Sequence, residues 1–132
     1  MPRDPGSPEE WLRYARSDLA LARGPATRDV MLESLCFHAQ QAAEKSLKAV
    51  LVKTGVSFPK VHSIERLIDL LPPSVSRVPV LIAAAKLTGY ATTFRYPGME
   101  EPVTQEQYQE ALGMAADVVD WAAHQIESDT PS

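Results

Sequence analysis

The chain has little of what several common classes of protein need. Cys36 is its single cysteine, so an internal disulfide and zinc sites built from cysteine pairs are excluded. It has no run of eighteen or more apolar residues, so we expect no membrane span. Residues 1–6 contain no apolar segment of the kind that a secretory signal needs. These absences predict a cytoplasmic protein.

Motifs for cofactor binding and catalysis are also missing. The 6 glycines are scattered, and none precedes a Lys-Ser or Lys-Thr pair, so a phosphate-binding loop is excluded. No His-Glu-x-x-His or other metal-ligand spacing occurs. The carboxylates show no pairing that indicates acid–base catalysis. We therefore expect no metal, no cofactor and no catalytic residue of a familiar type.

Charge is distributed unevenly along the chain. The net charge is −4, but residues 36–95 carry +5, whereas residues 96–132 carry eight acidic side chains and no lysine or arginine. This segregation fits a surface that faces phosphate, or two protomers that meet through opposite charges. Ordinary solvated helix faces would give the same pattern, so the alternatives stay open.

The first half of the chain predicts two helices. Ser7-Pro8-Glu9-Glu10 combines a capping hydroxyl, a proline in the first turn and a glutamate three residues after the cap. Helix one therefore opens at Ser7, and Gly24-Pro25 ends it. Helix two is predicted to begin between Thr27 and Asp29 and to end at Thr54. Gly55 follows, and a glycine in the left-handed conformation commonly ends a helix.

The second half predicts three more helices. A short one runs from about Ser63 to Leu71, a fourth from about Val78 to Phe94, and the last from the capping pattern Thr104-Gln105-Glu106-Gln107 to about residue 127. No segment alternates as a strand would. The predicted fold is all-α, an antiparallel up-and-down bundle of four long helices plus one short connecting helix. One domain is expected over residues 1–132, with 1–6 and 128–132 flexible.

Helix two carries the most unusual polar pattern. His38, Gln41, Lys45 and Lys48 share one helix face, because spacings of three and four residues align side chains. An imidazole, an amide and two ammonium groups together could hold a phosphate or the edge of a base. Residue types alone favour the alternative, an ordinary polar face with a half-buried, hydrogen-bonded histidine.

The stretch that contains this face reads Cys36-Phe37-His38-Ala39-Gln40-Gln41-Ala42-Ala43-Glu44-Lys45-Ser46-Leu47-Lys48-Ala49. It resembles the central helix of HEPN domains, which are named for nucleotide binding in higher eukaryotes and prokaryotes. Further matches follow in the same order: Trp11, Asp18-Leu19, His62-Ser63-Ile64, Tyr90 and Arg95-Tyr96-Pro97. The resemblance covers nearly the whole chain. It implies a helical domain that forms homodimers and binds nucleotide or RNA. It also implies a small nucleotidyltransferase as partner, in an accessory or toxin–antitoxin pair.

Some HEPN proteins are metal-independent ribonucleases, which share an arginine followed after four to six residues by a histidine. This sequence departs from that motif, because His38 follows Arg28 by ten positions, His62 has no arginine in the window and His124 lies far from Arg95. We therefore expect binding without catalysis. The alternatives are a ribonuclease toxin with a divergent site and a structural dimer without ligand.

The expected ligand-binding residues, taken from the helix face and from the resemblance, are His38, Gln41, Lys45, Lys48, His62, Arg95 and Tyr96. Trp11 and Tyr14 are expected in the core or an interface rather than under a stacked base. Phe37 and Leu51 lie beside polar positions of helix two, which favours a homodimer interface there.

Overall fold

A computed structural model describes residues 6–24, 29–91 and 102–127, and the regular structure in these ranges is entirely helical. The helices are α1 (Pro8–Arg23), α2 (Leu32–Lys53), α3 (Ile64–Asp69), α4 (Pro79–Ala84), a 3₁₀ helix (Ala85–Ala91) and α5 (Gln105–Glu127). The predicted all-α bundle with a short connecting helix, α3, is confirmed. No helix in these ranges is long and apolar enough to cross a membrane.

Two of the predicted helix starts are fixed by reciprocal caps. The Ser7 hydroxyl accepts the Glu10 amide at 3.1 Å, and the Glu10 carboxylate accepts the Ser7 amide at 3.0 Å. Thr104 and Gln107 make the same pair of bonds at the start of α5, at 3.1 and 2.9 Å. Each pair satisfies backbone donors that have no partner within the helix, which is why these starts are sharply defined.

The start of α2 was predicted too early. The helix begins at Leu32 after Met31, which makes no side-chain capping bond, and Asp29 lies in an exposed turn. Val30 and Met31 are both exposed, whereas Leu32 packs against the core. Burial of an apolar face therefore decides where this helix begins. Its end was predicted correctly, since Gly55 has φ +77.

The fourth helix also differs from its prediction. Six residues of α4 continue as a 3₁₀ helix to Ala91, and the predicted remainder up to Phe94 lies outside the described residues. Thr88 and Gly89 have low helix propensity, which agrees with the loss of α-helical geometry. The Thr88 hydroxyl accepts the Ile64 amide at 3.0 Å, so this segment is fastened to the start of α3.

Helix α2 lies at the centre of the bundle, where it packs against α1, α5, α3 and the 3₁₀ helix. Small side chains line these contacts and bring the backbones close together; those with no exposed surface are Ala15, Ala22, Ala39, Ala42, Ala43, Ala49, Ala111, Ala115 and Ala122. Leu51 is fully buried among them, so its predicted place at a dimer interface is wrong. Phe37 remains partly exposed.

Enlarging the buried alanines should destabilise the protein. We expect Ala43→Leu and Ala115→Leu each to cost about 1–3 kcal/mol and to lower Tm by several degrees, because both sites are fully buried. Gly113→Ala is the control: this α5 glycine is exposed, an added Cβ meets no atom within 4 Å, and alanine should raise Tm slightly. Unchanged Tm values for both leucine variants would contradict this helix packing. Thermal unfolding followed by circular dichroism measures all three.

Candidate functional site

His38, Gln41, Lys45 and Lys48 of α2 belong to two clusters, each built around a buried carboxylate. In the first, Asp18 of α1 faces His38 and Lys45 of α2: its Oδ1 lies 3.1 Å from His38 Nδ1 and its Oδ2 lies 2.6 Å from Lys45 Nζ. We call these three residues the Asp18 cluster. An ionised carboxylate can only accept, so Nδ1 carries the hydrogen in this contact. In the neutral form of His38 the other nitrogen, Nε2, is then an acceptor.

The second cluster surrounds Glu44, in the interior of α2. Its carboxylate accepts from Lys48 Nζ at 2.8 Å and from Gln40 Nε2 at 3.0 Å, and it contacts His62 Nδ1 at 3.1 Å. Gln40 also donates to the His62 carbonyl at 3.2 Å, and Gln41 donates to Gln40 Oε1 at 2.7 Å. We call these five residues the Glu44 cluster. It fastens the segment before α3 to the middle of α2.

Lys48 has a second set of neighbours. Its ammonium lies 5.7 Å from the ring centres of both Trp11 and Phe58, and these two rings meet edge to face at 6.1 Å. Trp11 is partly buried here, as expected of a core residue. The buried ammonium of Lys48 is thus compensated by one carboxylate and two aromatic faces.

Solvent exposure separates the predicted ligand-binding residues. The side chains of His62, His38 and Lys45 are 65%, 35% and 27% exposed, whereas that of Lys48 is only 10% exposed. Gln41 is partly buried and lies between the clusters. The structure therefore brings His38, Gln41 and Lys45 to one accessible surface and turns Lys48 inward.

Arg95 and Tyr96 lie outside the described residues. Tyr14, expected in the core or an interface, has 52% of its surface exposed, so the core alternative is wrong for it. Its ring instead lies on the outer surface of α1, with the Arg13 guanidinium 5.6 Å from the ring centre.

The anchoring residues Asp18, Glu44 and Gln40 were missed as site residues by the sequence analysis. The sequence does, however, contain features that indicate a role for Asp18 and Glu44. Asp18 directly precedes Leu19 on the buried stripe of α1, and Glu44 stands four residues before Lys48, the spacing of a helical ion pair. Charged residues at the edge of an apolar stripe need partners, and the candidates were His38 and the lysines of α2 together with His62.

The other buried titratable groups serve structure. Burial, with a smaller contribution from the Glu33 carboxylate, raises the pKa of the Cys36 thiol to about 11, which disfavours the reactive thiolate. Burial and then Cys36 also raise the pKa of Tyr108, whose hydroxyl donates to the Ala22 carbonyl. Within the described ranges no three metal-ligating side chains come together.

The Asp18 cluster can accept one hydrogen bond and donate others. In neutral His38, Nε2 is an acceptor, while the Lys45 ammonium has three donors, one of which is used on Asp18. A hydroxyl or amino group next to an anionic oxygen would match this pair. Because the carboxylate holds both side chains, little ordering is required when such a group binds.

The fold and these clusters define an all-α domain with a polar, partly exposed central helix. The HEPN domain model matches residues 8–126, nearly the whole chain, and the chain belongs to the HEPN domain family. No curated protein matches it.

Two solved structures are similar over most of their length. TT1696 from Thermus thermophilus shares 32% identity at a TM-score of 0.80, covering 90% of this chain and 98% of that one. ST0689, an archaeal HEPN homologue, shares 29% identity at a TM-score of 0.70, covering 92% and 98% respectively. These matches agree with the family and the fold.

The Glu44 cluster should dominate local stability. Glu44→Ala leaves the buried Lys48 ammonium without its carboxylate, and we expect a loss of about 3–5 kcal/mol in the free energy of unfolding. Glu127→Ala is the control, since it breaks the Arg16–Glu127 pair, whose partners are both more than half exposed, and should cost no more than about 1 kcal/mol. Urea denaturation measures both. Equal effects would show that Lys48 does not depend on Glu44.

Proposed function

We propose that this HEPN protein binds a phosphate-bearing ligand, a nucleotide or short RNA, at the Asp18 cluster without cleaving it. The observation that carries the proposal is that one buried carboxylate orients two ligand-type side chains, His38 and Lys45, and both keep an exposed part. Gln41 lies on the same surface and adds an amide. Family membership agrees with this assignment.

The affinity should be modest. Lys45 offers a charge-assisted bond to a phosphate oxygen, but its charge is already balanced by Asp18 at 2.6 Å. A neutral cluster draws anions weakly, and the remaining attraction falls with added salt. His62, more exposed than His38, and Arg95 and Tyr96, which the resemblance implies, would extend the site. Lys48 supports the helix rather than the ligand.

The partner that we propose is a small nucleotidyltransferase, for which this protein would act as the accessory or toxin-type component. Support comes from the HEPN family assignment and from the resemblance of helix α2 and its neighbours to members that occur in such pairs. Co-purification with the product of a neighbouring nucleotidyltransferase gene tests this part of the proposal independently of ligand binding.

The second candidate is a ribonuclease with a divergent site. The specific observation in its favour is that both His38 and His62 place Nδ1 against a buried carboxylate, an arrangement that orients a general base. Against it stands the missing arginine-to-histidine spacing of HEPN ribonucleases. A third candidate, a structural dimer without ligand, would leave the exposure of His38 and Lys45 without a role.

Ligand binding is tested by titration. We expect nucleotides and short RNA to bind at low salt, with a dissociation constant that rises when salt is added. His38→Ala and Lys45→Ala should each weaken binding severalfold, because each removes one oriented contact. The controls are His124→Ala and Lys86→Ala, which change exposed residues outside both clusters. Isothermal calorimetry gives the affinities.

Three outcomes separate the candidates. Binding weakened only by the cluster variants, with RNA left intact in EDTA, supports the proposal. RNA cleavage in EDTA that His38→Ala abolishes would establish the ribonuclease instead. Absence of binding by nucleotides and RNA alike would leave the structural dimer as the better account.

We also predict a homodimer in solution. Phe37 is partly exposed on the outer side of α2, and its ring lies 5.8 Å from that of His38, so apolar surface is available beside the cluster. A two-fold interface is the commonest arrangement for such a surface. Light scattering coupled to gel filtration at micromolar concentration should give about twice 14.5 kDa. A mass of one chain would rule the dimer out.

A further inference from the structure

We infer that Tyr14 forms a stacking platform for the base of the bound ligand, so that the site selects nucleotides with an unpaired base. This inference rests on the proposed function of the Asp18 cluster. It follows from the exposure of Tyr14, from its place on α1 and from the register of α1 against α2. Stacking on an aromatic side chain requires a free base face, which a duplex does not offer.

The register of the two helices places Tyr14 beside the cluster. Asp18 contacts His38 and Lys45, whereas Trp11, seven residues earlier on α1, lies against Lys48. The chains of α1 and α2 therefore run in opposite directions, and Tyr14, which lies between Trp11 and Asp18, stands level with the helix turn that carries Lys45.

The direction of the side chain agrees with this position. Tyr14 is one helical turn before Asp18, and residues four apart lie on neighbouring parts of one helix face. Asp18 points into the seam between α1 and α2, while Tyr14 is rotated outward from it and is 52% exposed. From this register and exposure we place the Tyr14 ring at the border of the surface on which His38 and Lys45 reach solvent.

The surroundings of the ring suit a flat ligand. The Arg13 guanidinium lies over one face of the ring, 5.6 Å from its centre, so a base would stack on the other face. A hollow of about 90 Å³ adjoins the ring and is lined by Gly6, Glu10, Trp11 and Tyr14. It is far smaller than the roughly 300 Å³ of small-molecule pockets. The ring therefore acts as an open platform, not as part of a closed slot.

The expected ligand spans about one nucleotide. Its phosphate would lie at Lys45, where donors remain after the bond to Asp18, and its sugar hydroxyl or base edge would meet His38 Nε2. Its base would cover Tyr14. A sugar phosphate without a base would contact Lys45 and His38 but not Tyr14.

The test compares adenosine 5′-phosphate with ribose 5-phosphate, which carries the same phosphate and sugar without a base. The native protein should bind the nucleotide at least about fivefold more tightly, since stacking contributes on that scale. Tyr14→Ala should remove this preference while leaving the affinity for ribose 5-phosphate unchanged, and Tyr14→Phe should preserve the preference. Leu21→Ala is the matched control, because Leu21 is equally exposed, at 52%, on the same edge of α1.

The possible outcomes of this titration distinguish the stacking platform from the proposed phosphate site. A base preference lost only in Tyr14→Ala supports the platform. Equal binding of the two ligands by the native protein overturns the inference but leaves the proposed phosphate site standing. A preference lost equally in Leu21→Ala overturns it as well, because general apolar contact would then explain the effect. Absence of binding by both ligands overturns the proposed function and this inference together.

Discussion

The burial of two carboxylates, that of Asp18 against α2 and that of Glu44 within α2, is the constraint on which the structure around the site depends. Removing an ionised carboxylate from water is costly unless cations and hydrogen bonds replace the lost solvation. Asp18 obtains them from His38 and Lys45, so α1 and α2 are held in one register. Glu44 obtains them from Lys48, Gln40 and the segment before α3. The positions of His38, Lys45 and Lys48 follow from these demands.

Local chemistry explains which parts of the fold could be predicted. The caps at Ser7 and Thr104 depend on residues three apart, and Gly55 acts on its own backbone, so a short stretch of sequence contains all the information. The beginning of α2, by contrast, is not determined by a short stretch of sequence. Thr27 and Asp29 are good capping types, but the helix begins at Leu32, where packing against the core first begins. The 3₁₀ geometry that follows α4 likewise departs from the long regular helix that periodicity indicated.

In the candidate site, too, helical spacing predicted some features, while others depend on packing between helices. Helical periodicity correctly placed His38, Gln41 and Lys45 together, because angular position on a helix follows from spacing alone. It placed Lys48 with them as well, only three residues after Lys45. What separates the two lysines is depth, since Lys48 lies over the rings of Trp11 and Phe58 and Lys45 does not. Depth is set by residues far away in the sequence, which a single helix pattern does not contain. The exposure of Tyr14 was missed for the same reason.

The distribution of charge bears on the proposed binding of an anion at the Asp18 cluster. Exposed carboxylates lie along the outer face of α5, among them Glu106, Glu110, Asp117 and Asp120. Helix α5 also packs against α2. These carboxylates disfavour phosphate beside the outer face of α5. Selectivity at the cluster would then come from oriented hydrogen bonds and from the ring at its edge, more than from net positive charge.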